Sequence, residues 1–96
     1  FLFLAEGFEE IEAIAPIDIF RRAEIEVETV SISKNLEVKG AHGISVLADN
    51  IFENTDFSGD SLLFLPGGSL GTTNLDNHSG LRELILNQSN NCNLQL

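Results

Sequence analysis

The sequence predicts an α/β fold, a parallel sheet sandwiched between helices. Two short apolar runs, residues 1–5 and 61–65, each lead into a glycine turn and read as strands buried on both faces. Segments with apolar residues at helical spacing follow each of them, and the resulting order, β-α-β-(β-β)-β-α, is that of crossover-connected parallel strands.

Taken in order, Phe1-Leu2-Phe3-Leu4-Ala5 is a continuous apolar strand ended by Glu6-Gly7. Over residues 9–23, Ile11, Ile14, Ala15, Ile19 and Phe20 recur at helical spacing, with Glu9 and Glu10 in the first turn and Arg21 and Arg22 in the last, as the helix dipole favours. Pro16 removes a hydrogen bond within that pattern, which predicts a kink or two short helices. Residues 25–33 alternate in polarity as a strand does, and Lys34-Asn35 is a turn. Residues 36–38 and 44–48 are β-rich and flank Gly40-Ala41-His42-Gly43, which predicts a hairpin beside the main sheet. Residues 50–60 form an acidic connection with a helical turn. The strand at 61–65 then runs into Pro66-Gly67-Gly68-Ser69-Leu70-Gly71. Ser79 is placed to cap a last helix reaching about residue 88, with Leu81, Leu84 and Ile85 on one face.

At 96 residues the chain is one domain at most, with a thin stability margin. Fifteen acidic residues against five basic ones give a net charge of −10, which repels phosphate backbones and anionic bilayers, so neither nucleic acid nor membrane is an expected partner. No apolar run approaches a membrane span and no leader opens the chain, so a soluble, cytoplasmic protein is expected. The single cysteine, Cys92, cannot form an internal disulfide. The abrupt apolar start and the asparagine-rich stretch at 87–93 predict an incomplete domain whose residues 88–96 are an atypical tail.

In open parallel sheets, ligands bind beyond the C-terminal ends of the strands, which puts residues 6–12 and 66–71 on one rim. Paired glycines at Gly67 and Gly68 allow a sharp turn with N–H groups open to a ligand, as an oxyanion hole requires; a plain strand-to-loop turn is the alternative. The segment is neither a Walker loop nor a dinucleotide fingerprint, and no cofactor is expected. Glu9, Glu10 and Glu12 read chiefly as a solvated helix start. Glu12 differs in lying one turn below Phe8, where a bend would turn it toward the rim and burial would raise its pKa, as suits a proton donor. His42 and His78 lack a second ligand at metal spacing and read as surface histidines, so no metal is expected. Cys92, within the polar tail, reads as an incidental thiol.

The stretch from Phe3-Leu4-Ala5-Glu6-Gly7-Phe8-Glu9-Glu10-Ile11-Glu12-Ala13 through Ala15-Pro16-Ile17-Asp18 to Arg21-Arg22-Ala23 resembles the opening of the ThiJ/PfpI superfamily, in its DJ-one-like branch. Glu28-Thr29-Val30-Ser31, Gly40-Ala41-His42-Gly43, Leu65-Pro66-Gly67-Gly68, Leu70-Gly71 and Asn74-Leu75 continue the resemblance in order, over roughly residues 1–88. It implies a flavodoxin-like sandwich, of which this chain is the N-terminal half, and a homodimer. It also implies a cysteine nucleophile on a strand-to-helix elbow, paired with a protonated glutamate and served by backbone amides. Glu12 matches the glutamate, and Gly67 and Gly68 match the turn. The nucleophile is not transferred to Cys92, which precedes the strand beginning at Leu94, and the downstream histidine of many members is missing. Asp18, Arg21, Arg22 and His42 fall where relatives place dimer contacts or site-lining residues. Glu24 stands where the family has a glycine, so the helix end is expected to be altered or strained.

The function the resemblance implies is a cysteine-dependent glyoxalase or deglycase acting on small reactive dicarbonyls or their adducts. The alternatives are members labelled as thiazole monophosphate biosynthesis proteins or intracellular proteases, a redox-responsive chaperone or stress protein, and an inactive fragment.

Overall fold

The computed structural model describes residues 1–58 and 61–89, with side chains through Asn87 except at 59–60. Cys92, the strand expected at Leu94 and most of the asparagine-rich tail lie outside the described residues. Along the chain run β1 (Leu2–Leu4), α1 (Glu10–Arg22), β2 (Thr29–Ser31), β3 (Glu37–Lys39), β4 (Ser45–Leu47), β5 (Asn50–Ile51), a 3-10 turn (Phe52–Asn54), α2 (Ser69–Asp76) and α3 (Ser79–Ser89).

β1 is the axis of the sheet. It pairs in parallel with β2, with Phe3 opposite Val30, and β2 pairs in parallel with β5. On its other side β1 is bonded to residues 62–64, with Phe3 N donating to Phe64 O at 3.1 Å, Phe64 N donating to Phe1 O at 2.9 Å, and a parallel bridge joining Leu2 and Phe64. The strand expected over 61–65 is therefore reduced to a bridge, and the one expected over 25–33 to the three residues Thr29–Ser31. The hairpin is present: β3 and β4 pair antiparallel as a separate two-stranded unit.

Alternation along β1 divides the core in two. Leu2 and Leu4 meet Phe8, Ala13 of α1, and Val38 and Ala48 of the hairpin region. Phe3 and Ala5 meet Val30, Leu63, Leu75 of α2 and Leu81 of α3. Helices thus cover both faces of a parallel sheet, as the pattern of apolar runs predicts.

α1 narrows one expectation and departs from another. It is one helix with Pro16 inside it, which excludes the break into two short helices and leaves the kink as the expected alternative; Ala13 and Ile17, on either side of the proline, both pack on the sheet-side core. Its apolar stripe also does not face the core: Ile11 is 75% exposed, and Ile14 and Ile19 are exposed as well, while Glu10 and Ala13 are the buried positions. The helix is rotated so that the residue type expected outside lies under the hairpin. Its C-terminus is a Schellman motif, with Ile25 N donating to Phe20 O at 2.8 Å and Glu24 N donating to Arg21 O at 3.1 Å. Glu24 occupies the left-handed position at φ +62°. The helix end is therefore unaltered in form and strained at that residue.

The helix α2 was not legible in the Gly, Thr and Asn of its sequence, which are weak helix formers; it is fixed by burial of Gly71 and Leu75. α3 begins at Ser79 as expected, but the cap is His78, whose Nδ1 accepts from Leu81 N at 2.9 Å. That ring also stands edge-on to Phe52 with centroids 4.6 Å apart, so His78 is a half-buried structural residue and not a surface one. No helix among the described residues is long and apolar enough to cross a membrane.

Candidate functional site

The loop leaving β1, residues 5–9, is where distant parts of the chain meet. Gly7 N donates to Lys39 O at 2.8 Å and Ala41 N to Phe8 O at 2.8 Å, which docks the hairpin on one side. Glu9 N donates to Gly67 O at 2.9 Å and Gly71 N to Gly7 O at 3.2 Å, which docks the Pro-Gly-Gly turn on the other. Gly68 makes this approach possible: its φ is +116°, and a Cβ there would stand 2.6 Å from Gly7 O and 2.8 Å from Glu9 N.

The glutamate and the turn singled out in the sequence are brought together. Gly67 N donates to Glu12 Oε1 at 3.2 Å across 55 positions of sequence. Glu12 lies on the rim of the cleft and is exposed, a correction to the burial expected of its carboxyl, since no other element among the described residues covers that side of α1. Gly68, Ser69 and Leu70, at the positive end of the eight-residue α2, line the same rim.

The three carboxylates at the start of α1 have three different fates. Glu9 is the N-cap, its Oε1 accepting from Ile11 N at 3.3 Å. Glu12 faces Gly67. Glu10 is 5% exposed, a correction to its reading as part of a solvated helix face. Its Oε2 accepts from His42 N at 2.7 Å and Ile44 N at 3.3 Å, and its Oε1 meets His42 Nδ1 at 2.8 Å. Burial pushes the Glu10 pKa up, but the bond to His42 and the amides of His42 and Ile44 outweigh it and hold the group at about 2. The same bond, and the charges of Glu10 and Glu9, raise His42 above its ordinary value.

His42 is exposed as expected, with 69% of its side chain accessible, yet it is tied to a buried anion that sequence spacing did not reveal. No local signal marks this pair, because its two members come from a helix and a hairpin turn. Glu9, Glu10 and His42 each bring one donor atom within 4.8 Å of the others, the one such group among the described residues that could hold a metal ion. Glu10 Oε2 already accepts from two backbone N–H groups and Oε1 is hydrogen-bonded to the imidazole, so the arrangement as it stands is a hydrogen-bonded carboxylate–histidine pair.

Glu6, Glu9, Glu12, Lys39, His42 and Gly68 line a single open cleft of about 600 Å³. Its carboxylates outnumber its cations, so it disfavours anionic ligands. A second hollow of about 350 Å³, lined by Phe1, Phe20, Ile25 and Leu62, sits at the opposite, N-terminal ends of the strands and carries little polar chemistry. Asp18, Arg21 and Arg22 are engaged within the chain: Arg22 pairs with Asp18 one turn away at 2.9 Å, and Arg21 bonds Asp49 Oδ2 at 2.9 Å and Val27 O at 3.1 Å.

Comparison with known proteins follows the same outline. The chain is 33% identical over 85 residues to Protein DJ-1 homolog B of Arabidopsis thaliana, covering 88% of this chain and 19% of that protein. It is 30% identical over 91 residues to a protein of Schizosaccharomyces pombe named glutathione-independent glyoxalase DJ-1, covering 88% of this chain and 48% of that one. The structure superposes on a DJ-1 superfamily protein of Salmonella typhimurium with a TM-score of 0.86 at 33% identity, covering 92% of this chain and 48% of that one. The chain thus spans about half the length of the last two and about a fifth of the first. The fold is the flavodoxin-like α/β fold of these neighbours, and, with residues 1–93 matching the DJ-1/PfpI family, the chain belongs to that family.

Proposed function

We propose that this chain is the N-terminal part of one α/β domain and supplies the acid and the main-chain donors of a cysteine-dependent glyoxalase- or deglycase-type site for small reactive dicarbonyls. The observation that carries the reading is the Gly67 N–H on Glu12 Oε1 at 3.2 Å, which sets a carboxyl group and a turn of main-chain donors at one rim. The name of the S. pombe relative supports the reaction class. The excess of carboxylates lining the cleft favours a neutral electrophile such as a 2-oxo aldehyde over a phosphorylated or carboxylated one.

In this reading a thiolate from outside the described residues attacks the aldehyde carbon, and the carbonyl electron pair moves to oxygen. Gly68 and the first amides of α2 stabilise that oxyanion, while Gly67, its N–H given to Glu12, orients the carboxylate. Glu12 takes the proton from the attacked carbon and returns it to the neighbouring one, and water then releases the 2-hydroxy acid from the thioester. The sum is addition of one water with no external oxidant. The reading includes a cytoplasmic homodimer, with exposed Ile11 (75%), Leu47 (76%) and Ile44 (54%) as its apolar contact surface.

The test is consumption of methylglyoxal, with formation of lactate, by the complete gene product. A folded Glu12→Gln variant is expected to lose about 100-fold or more in kcat, the usual worth of a positioned acid-base group. Undiminished turnover in that variant would remove Glu12 from the chemistry.

A further inference from the structure

We propose that His42 is a catalytic proton-transfer residue of this cleft, held in one tautomer by the buried Glu10 carboxylate, and that it protonates the ketone oxygen of a bound 2-oxo aldehyde. The proposal rests on the glyoxalase reading above and adds a residue and a step to it.

The geometry separates the two partners. Glu10 is 5% exposed, and its Oε2 is pinned by two backbone amides, which leaves Oε1 in a fixed place to take the Nδ1 proton at 2.8 Å. The imidazole is 69% exposed on the cleft it shares with Glu12 and Gly68. With Nδ1 engaged, Nε2 is the ring nitrogen left for a ligand, and it has no hydrogen bond to any described residue. The turn does not need the ring for its shape: Gly43 N donates to Gly40 O at 3.1 Å and Gly40 N to Ile44 O at 2.8 Å. A buried carboxylate orienting an exposed imidazole is the arrangement of acid-base dyads. The charged groups around the ring are Glu9, whose Oε2 lies 3.7 Å from Nδ1, and Glu10, with Glu6, Glu12 and Lys39 lining the same cleft. This predominantly acidic surrounding favours the imidazolium form, in line with the raised pKa of His42.

The protons balance. As Glu12 removes the proton from the thiol-bearing carbon, the C1–C2 double bond forms, the ketone electron pair moves to its oxygen, and that oxygen takes the Nε2 proton. Glu12 then protonates C2 while C1–O re-forms as the thioester carbonyl. Neutral His42 next accepts the proton of the water that attacks the thioester, the thiolate leaves, and the imidazolium is restored.

The experiment measures kcat and KM for methylglyoxal against pH in the complete gene product, its H42Q and H42A variants and E12Q. H42Q keeps a side-chain N–H donor for Glu10 Oε1, and a thermal melt of each variant establishes that it is folded before its kinetics are read. The expected result is a fall in kcat of about 100-fold with little change in KM. Loss of the basic limb of the pH profile and partial rescue of H42A by added imidazole are expected with it. H42Q turning over with wild-type kcat and pH profile, while E12Q is impaired, overturns this proposal alone; an inactive wild type overturns the parent reading and this one together. Activity that requires added zinc and is lost with chelator also overturns it, since His42 would then be a ligand.

Discussion

Glu10 and His42, 32 positions apart in sequence, meet at 2.8 Å as a buried carboxylate and an exposed imidazole. The bond fastens the hairpin turn to the first turn of α1, so it links the stability of the fold to the protonation of the rim.

The linkage has a definite sign. The His42 pKa is raised above 6.5, so its contribution is complete below pH 6.5 and is lost as pH rises through the folded value. The Glu10 pKa is lowered from 4.5 to about 2, so its contribution is present above pH 4.5 and is lost as pH falls toward 2. This pair therefore contributes most between pH 4.5 and 6.5. Thermal melts across pH should show H42Q flattening the alkaline fall; an unchanged alkaline limb would show that the pair does not couple to folding.

Gly67 and Gly68 are adjacent but should respond differently to alanine. A Cβ at Gly67 would stand 2.5 Å from Glu12 Oε1, the far end of a flexible side chain that can swing away. G67A should cost under about 1 kcal/mol in stability while displacing the carboxylate and lowering turnover about tenfold or more. At Gly68 the φ of +116° and the main-chain atoms of Gly7 and Glu9 leave no escape. G68A should destabilise by roughly 3 kcal/mol, read by denaturant unfolding. Equal losses of stability in the two variants would contradict this contrast.

Glu24 should be a site of easy stabilisation. It holds the left-handed position of the α1 Schellman motif at φ +62° with its main-chain bonds made, so the strain is in the residue type and not in the bonding. E24G relieves a cost of about 1–2 kcal/mol against a glycine entropy cost of about 0.5–1 kcal/mol. A net gain of some tenths of a kcal/mol up to about 1 kcal/mol is expected in chemical denaturation. A lower midpoint for E24G would show that Glu24 makes a compensating interaction.

How much was legible depends on the range of the cause. The buried runs at β1 and residues 62–64 and the hairpin around Gly40–Gly43 follow from local patterns of apolar and glycine positions, the strained cap at Glu24 follows from the family resemblance, and the structure has each of them. The rotation of α1 did not, because its apolar stripe points away from the core and its buried side is set by what the hairpin covers. Nor did α2, whose weak formers are held by packing of Gly71 and Leu75.

The sequence by itself determined the class of fold, a parallel sheet between helices, and the family resemblance that singled out Glu12, Gly67 and Gly68, because apolar periodicity and glycine turns act within a few residues. Only the tertiary structure decided which of three neighbouring glutamates is buried, which faces the turn and which histidine is held at the cleft. Those outcomes depend on contacts between segments more than 30 positions apart, and nothing in a local stretch of chain records its distant partner.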